Sequence, residues 1–168
     1  MQVLQNDGQT IPIFEDASVD FVFSFDSLVH VESEILQAYV REIARVLKPN
    51  GAAFIHHSNL GKYRPILTLF RRLSGRLPVF VSHAALKAHL IPTEHWRAET
   101  VTAAWLSSVS REYGLCAIRQ ELINWGNQRY LIDCFTTLGR SPVRQERVLR
   151  NHDFMKEAEQ IRLAHPSR

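Results

Sequence analysis

Residues 19–59 read VDFVFSFDSLVHV (19–31), ESEILQAYVREIARVLK (32–48), PNG (49–51) and AAFIHHSN (52–59). The run Phe21-Val22-Phe23-Ser24-Phe25 is apolar on both alternating faces, as in a strand covered by helices on both sides. It predicts a central parallel strand. Ser33 suits a helix N-cap, Glu32 and Glu34 favour a helix start, and Arg45 and Lys48 favour its end. Between them Ile35, Leu36, Tyr39, Val40, Ile43 and Leu47 recur at three- and four-residue steps, leaving Gln37, Arg41, Glu42 and Arg45 for water. Pro49-Asn50-Gly51 reads as a chain reversal, and Ala52-Ala53-Phe54-Ile55 as the start of a second strand.

A strand-helix-strand crossover sets both strands parallel, with their C-terminal ends on one edge of the sheet, where ligands of open α/β sheets bind. Ser24, Phe25, Asp26 and His30 follow the first strand, and His56, His57, Ser58 and Asn59 the second. The titratable groups gather where a site is expected.

Working outward, Asn6-Asp7-Gly8 with Ile11-Pro12, DASVDFVFSFDSLVHV (16–31) and RVLKPNGAAFIHHSN (45–59) resemble the class I S-adenosylmethionine-dependent methyltransferases, over roughly residues 3 to 138. The resemblance implies an α/β, Rossmann-like methyltransferase sheet, mostly parallel, closed by a terminal antiparallel hairpin. It implies S-adenosylmethionine as cofactor, with Asp7 accepting from the adenine amino group and Asn6, Gly8, Ser24 and Phe25 beside it. In that family the glycine-rich loop lies upstream of the Asp7 position, so the sheet is expected to be incomplete at its N-terminal side. No Gly-x-Gly occurs among the seven glycines, which argues against a nicotinamide dehydrogenase, an NTPase and an intact methyltransferase.

With 168 residues, 45% hydrophobic and 22% charged, the composition is that of one globular domain. A net charge of +3 is too small to imply nucleic acid. No run reaches membrane-spanning length and the first residues lack a signal-peptide pattern, so the expected compartment is the cytoplasm. Cys116 and Cys134 form no CxxC pair and read as buried thiols.

The stretch 62–96 reads as a lid insertion, and Ile66, Leu67, Leu69, Phe70 and Leu73 against Lys62, Arg64, Arg71, Arg72 and Arg76 form a basic amphipathic helix. Packing on its own domain, an anionic or lipid-linked substrate, and a membrane surface are its open readings. A helix with Val101, Ala104, Trp105, Ser108 and Val109 on one face follows, ending at Tyr113-Gly114. Strands at 115–123 and 130–138 should pair antiparallel. The partial methyltransferase domain then covers 1–138, and the charged tail 139–168 reads as a surface appendage with a helix over 153–164.

For methyl transfer to a hydroxyl the candidate bases are His30, His56 and His57; the last two are adjacent on a strand, so only one can face a given pocket. That geometry also argues against a metal site. Asn59, Tyr63 and Arg97 are candidate substrate contacts, and Gln120, Glu121, Asn124 and Trp125 line or brace. The expected function is methylation of a small-molecule or glycan hydroxyl. The alternative is an inactive methyltransferase-like remnant acting as an interaction or assembly module. A bare sheet edge predicts that the isolated chain is a homodimer or aggregation-prone, through this edge or with the residues around Val3-Leu4 folding back to pair with it.

Overall fold

The computed structural model describes residues 5, 7, 9–74, 87, 88, 92, 96–124, 129–140 and 146–164. Its elements are β1 (Val19–Leu28), α1 (Ser33–Val46), β2 (Leu47–Ser58), a 3-10 turn (Leu60–Tyr63), α2 (Arg64–Ser74), α3 (Ala103–Glu112), β3 (Cys116–Ile123), β4 (Asp133–Gly139), β5 (Arg147–Asn151) and α4 (Phe154–Ala164). They form one sheet of order β1-β2-β4-β3-β5. β1 and β2 are parallel, with Phe23 opposite Phe54. β4 runs antiparallel to both β2 and β3, and β5 parallel to β3. Only β4 opposes the common direction, so the sheet is mostly parallel with the expected antiparallel hairpin.

The helix after β1 forms as its periodicity predicts, but its ends differ. Glu32 is the N-cap residue, and its carboxylate accepts from the Thr100 backbone and hydroxyl rather than capping its own helix. β2 begins at Leu47, opposite Val19, so Pro49-Asn50-Gly51 is already strand and not a reversal. Pairing to β1 overrides the local turn signal. Glu42 and Arg45, expected in water, fasten the segment before β1: the Glu42 carboxylate accepts the Ile11 N–H, while Arg45 donates to the carbonyls of Ile11 and Phe14. The Arg45 guanidinium also holds the Glu42 carboxyl below its ordinary range. Conversely Ile35, expected in the core, is exposed, and Tyr39 is half-buried.

α1 and α3 cover one face of the sheet. Ile43, Ala44 and Leu47 pack with Ala53, Ile55, Leu115, Ala117 and Leu138, and Leu36 and Val40 with Ala98, Val101, Leu106 and Val109. α3 turns a different stripe inward from the one expected: Ala103, Leu106, Ser107, Val109 and Ser110 are buried, while Ala104 and Ser108 are exposed. Two tethers set this rotation, with Asn59 Oδ1 accepting the Ala103 N–H and the Thr102 hydroxyl accepting from Trp105. Small serines then let the helix lie close to the sheet. Gly61 allows a similar close approach, since a Cβ there would stand 2.6 Å from the Val101 carbonyl oxygen.

The opposite face is different. Phe23 stacks on Phe54 at 5.5 Å, and Phe54 and Phe135 lie 5.5 Å apart, giving an aromatic row across three strands. Phe21, Phe23 and Phe25 remain 57%, 65% and 47% exposed, and among the described residues no helical layer covers this side of β1 as its pattern predicts. Among the described residues, β1 pairs on one side only.

The tail departs from expectation. Residues 147–151 join the sheet beside β3, so this part is structural and not an appendage, whereas α4, close to its predicted span, has no buried residue. Cys134 is buried, but Cys116 is half-buried. In the basic helix, α2, Leu67 packs with Leu60 and Ile132, and Arg71 pairs with Glu99. Val3-Leu4, Trp125 and most of the expected lid stretch beyond Ser74 lie outside the described residues. No helix of the described residues is long and apolar enough to cross a membrane.

Candidate functional site

β1 and β2 end, and β4 begins, at the same sheet edge, because Ser58 pairs with Asp133 and Leu28 with His57. This brings together groups far apart in sequence. Asp133, wholly buried, accepts from Arg97 Nε at 2.9 Å and from its terminal nitrogen at 2.9 Å. His56 Nε2 lies 3.3 Å from the second Asp133 oxygen. Its Nδ1 accepts the Asp26 N–H at 3.2 Å, which places the ring proton on the nitrogen facing Asp133. Asp26 has φ 58°, in the left-handed region that Asp tolerates better than most side chains. Its carboxylate closes the circuit 3.7 Å from Arg97.

A cavity of about 490 Å3 opens between β1 and α1. Asp7, Gln9, Ser24 and Ser27 line it with polar groups, and Val22, Leu28, Ile35, Tyr39 and Ile43 with apolar ones. The exposed Ile35 and the half-buried Tyr39 thus have a place at the wall of a pocket rather than in the core. Asp7 Oδ1 accepts the N–H groups of Gln9 and Thr10, and Oδ2 accepts the Thr10 hydroxyl. These bonds hold the carboxyl below its ordinary range, Gln9 contributing most.

The candidate residues fare differently. His57 is completely buried; its Nδ1 donates to the Ser58 carbonyl at 2.8 Å and its Nε2 accepts from Thr136 at 2.7 Å. Burial lowers its pKa to about 4. With both nitrogens engaged inside the sheet it is not available as a base, which corrects that expectation. His56 stands on the other face, also fully buried, against Phe25 and Phe135. Only His30 of the three is exposed, its Nδ1 bonded to the Trp96 carbonyl. Ser24 lines the cavity but Phe25, one residue on, points to the opposite face. Asn6 and Gly8 lie outside the described residues.

Asn59, Tyr63 and Arg97 are braces in this structure. The Asn59 amide donates to the Leu131 carbonyl and accepts from Ala103, Tyr63 Oη accepts the Leu131 N–H, and Arg97 is spent on Asp133. Burial raises the Tyr63 pKa. Gln120 also braces, its amide donating to the Ala103 carbonyl and to Thr136. Asp133 was missed by sequence reasoning although it carried a signal, a lone carboxylate within the apolar run Leu131-Ile132-Asp133-Cys134-Phe135. Among the described residues no three His, Cys, Asp or Glu side chains are grouped to hold a metal.

The sequence profile described as a methyltransferase domain matches residues 1–55. No curated protein matches the chain in sequence. Among solved structures it is similar to a chain of the complex between the Haloferax volcanii Trm112 methyltransferase activator and a methyltransferase. The identity is 18%, the match covers 84% of this chain and 62% of that one, and the TM-score is 0.50. It is also similar to the PH0226 protein of Pyrococcus horikoshii OT3, at 20% identity over 81% of this chain and 57% of the other, TM-score 0.49. An O-methyltransferase family protein from Burkholderia thailandensis matches at 19% identity over 82% of this chain and 35% of its own, TM-score 0.47. The chain spans less than two thirds of the length of each. The fold is the Rossmann-like methyltransferase sheet, and residues 1–55 resemble a methyltransferase domain.

Proposed function

We propose that this chain, with a Rossmann-like methyltransferase sheet and a methyltransferase-domain match over residues 1–55, carries part of an S-adenosylmethionine-dependent methyltransferase. The acceptor in this reading is a small-molecule or glycan hydroxyl. The observation that carries it is the cavity between Asp7, β1 and α1 at the ligand edge of such a sheet. Its apolar wall of Val22, Leu28, Ile35 and Tyr39 suits a nucleoside base, and Ser24 and Ser27 offer hydroxyls. A carboxylate has about four acceptor positions, and the Asp7 carboxylate uses three on its own turn, leaving one for an exocyclic amine. These residues fit the adenosine end of the cofactor. No Gly-x-Gly cradle in the sequence fits the methionine end, so binding by this chain should be weak.

When bound, S-adenosylmethionine supplies a methyl carbon on a sulfonium, whose displacement needs alignment and, for a hydroxyl acceptor, a base. His30 takes the base role because it alone of the candidate histidines is exposed. His56, Arg97 and Asp133 hold the edge rigid beside it. Asn59 and Tyr63 tie the turn after β2 to the strand opposite.

The second reading, an inactive remnant serving as an interaction module, is favoured by the exposure of Phe21, Phe23 and Phe25 on one sheet face. Titration of the 15N-labelled chain with millimolar S-adenosylhomocysteine decides between them. Shifts at Asp7, Ser24, Ser27, Ile35 and Tyr39 are expected. Their absence at saturating ligand overturns the methyltransferase reading and leaves the module.

A further inference from the structure

Among the described residues Trp96 is the one large aromatic left almost wholly in water, 90% exposed, and its φ of 58° lies in the left-handed region, which costs a bulky side chain energy. Such strain persists only where the surroundings over-determine it. Here they do so at four points along residues 96–98. The Trp96 carbonyl takes the His30 ring nitrogen, and Arg97 is forked onto Asp133. The Ala98 N–H donates to the Val29 carbonyl at 3.0 Å, and the Ala98 carbonyl accepts the Ser58 hydroxyl at 2.7 Å. The charged anchor is the Arg97–Asp133 pair, whose carboxylate is wholly buried.

The consequence falls on His30. A carbonyl oxygen can only accept, so its partner Nδ1 must carry the proton, and in the neutral ring Nε2 is then the lone pair. Among the described residues nothing is bonded to that nitrogen. We propose that the 96–98 strap, held by Arg97 and Asp133, locks His30 in the Nδ1–H tautomer and so presents Nε2 as the proton acceptor of the site. This rests on the reading of His30 as base. In the step it serves, the acceptor oxygen forms the new O–C bond, the C–S bonding pair returns to sulfur, and the hydroxyl proton passes to Nε2. Arg97 and Asp133 are positioning residues; they touch neither substrate nor cofactor.

The test needs neither. Two-bond 1H–15N correlation of the histidine-labelled chain, at a pH where His30 is neutral, reports which ring nitrogen is protonated. The wild-type spectrum should show a protonated Nδ1 and a bare Nε2 with widely separated 15N shifts. A protonated Nε2 would overturn the proposal outright. Arg97→Lys keeps the charge and loses the fork, and the two His30 resonances should then draw together as the tautomers mix. A folded Arg97→Lys protein with unchanged separation would remove Arg97 from the positioning role. Should this variant fail to fold, the wild-type tautomer decides alone. The ligand titration described for the cavity fails or succeeds separately, because the tautomer is read without any ligand.

Discussion

Replacing Asp133 with Ala removes the only fully buried carboxylate of the edge network and strands its partner. The Arg97 side chain is 10% exposed and spends its fork on the two Asp133 oxygens, at 2.9 to 3.1 Å. His56 Nε2, fully buried, loses the carboxylate 3.3 Å away. Breaking a buried ion pair from one side costs about 3–5 kcal/mol, because the remaining charge is left without water or partner. Arg97 keeps slight solvent access and Asp26 stands 3.7 Å from it, so the lower end, about 3 kcal/mol, applies. For a slope of about 2 kcal/mol/M in urea the midpoint should fall by roughly 1.5 M. Equilibrium urea unfolding followed by circular dichroism measures it. The pairing argument makes a further demand: Asp133→Leu combined with Arg97→Met should recover most of the loss, since no charge is then left buried. A single variant within about 1 kcal/mol of the parent, or a double variant worse than the single, would refute the reasoning.

Three other outcomes are expected. His57 is neutral in the fold, with its pKa lowered from 6.5 to about 4, so it contributes stability that is present above pH 6.5 and lost as the pH falls towards 4. The loss reaches up to about 3 kcal/mol, and His57→Gln should flatten the pH dependence of the urea midpoint in that window. At about 200 Å2 per ring, Phe21, Phe23 and Phe25 leave roughly 340 Å2 of aromatic surface wet beside a strand edge unpaired among the described residues. The chain should therefore self-associate in light scattering and Phe23→Asp should suppress it; a monodisperse parent at 100 micromolar or so would sink this. Finally, Asp7→Ala should weaken S-adenosylhomocysteine binding at least several-fold, while His30→Ala leaves it near the parent value; equal losses would show that neither role is as assigned.

Much of the scaffold was legible along the chain, because its elements are local in origin. The three- and four-residue steps from Leu36 to Ile43 specify a helix wherever it is placed, and alternation in 116–123 specifies a strand. The order of the parallel pair and the hairpin followed from connection length. What needed three dimensions is everything set by partners distant in sequence. Glu42 was read as wet because its helix position faces away from the sheet, yet the segment from Ile11 to Phe14 folds back over this part of the helix. α3 turned a different face inward because Asn59, more than forty residues earlier, takes its first N–H. β5 has no apolar alternation to announce it and exists because β3 had an open edge to pair with. The site divides in the same way. The crossover alone put Asp26, His30, His56 and His57 at one edge, but a strand's period of two cannot say which neighbour is sealed inside. Register against Cys134 and Thr136 sealed His57, and Asp133 reached His56 and Arg97 only because β4 runs back antiparallel along β2. Charge burial and proton location are properties of that assembled edge, since they depend on which groups the tertiary contacts deprive of water.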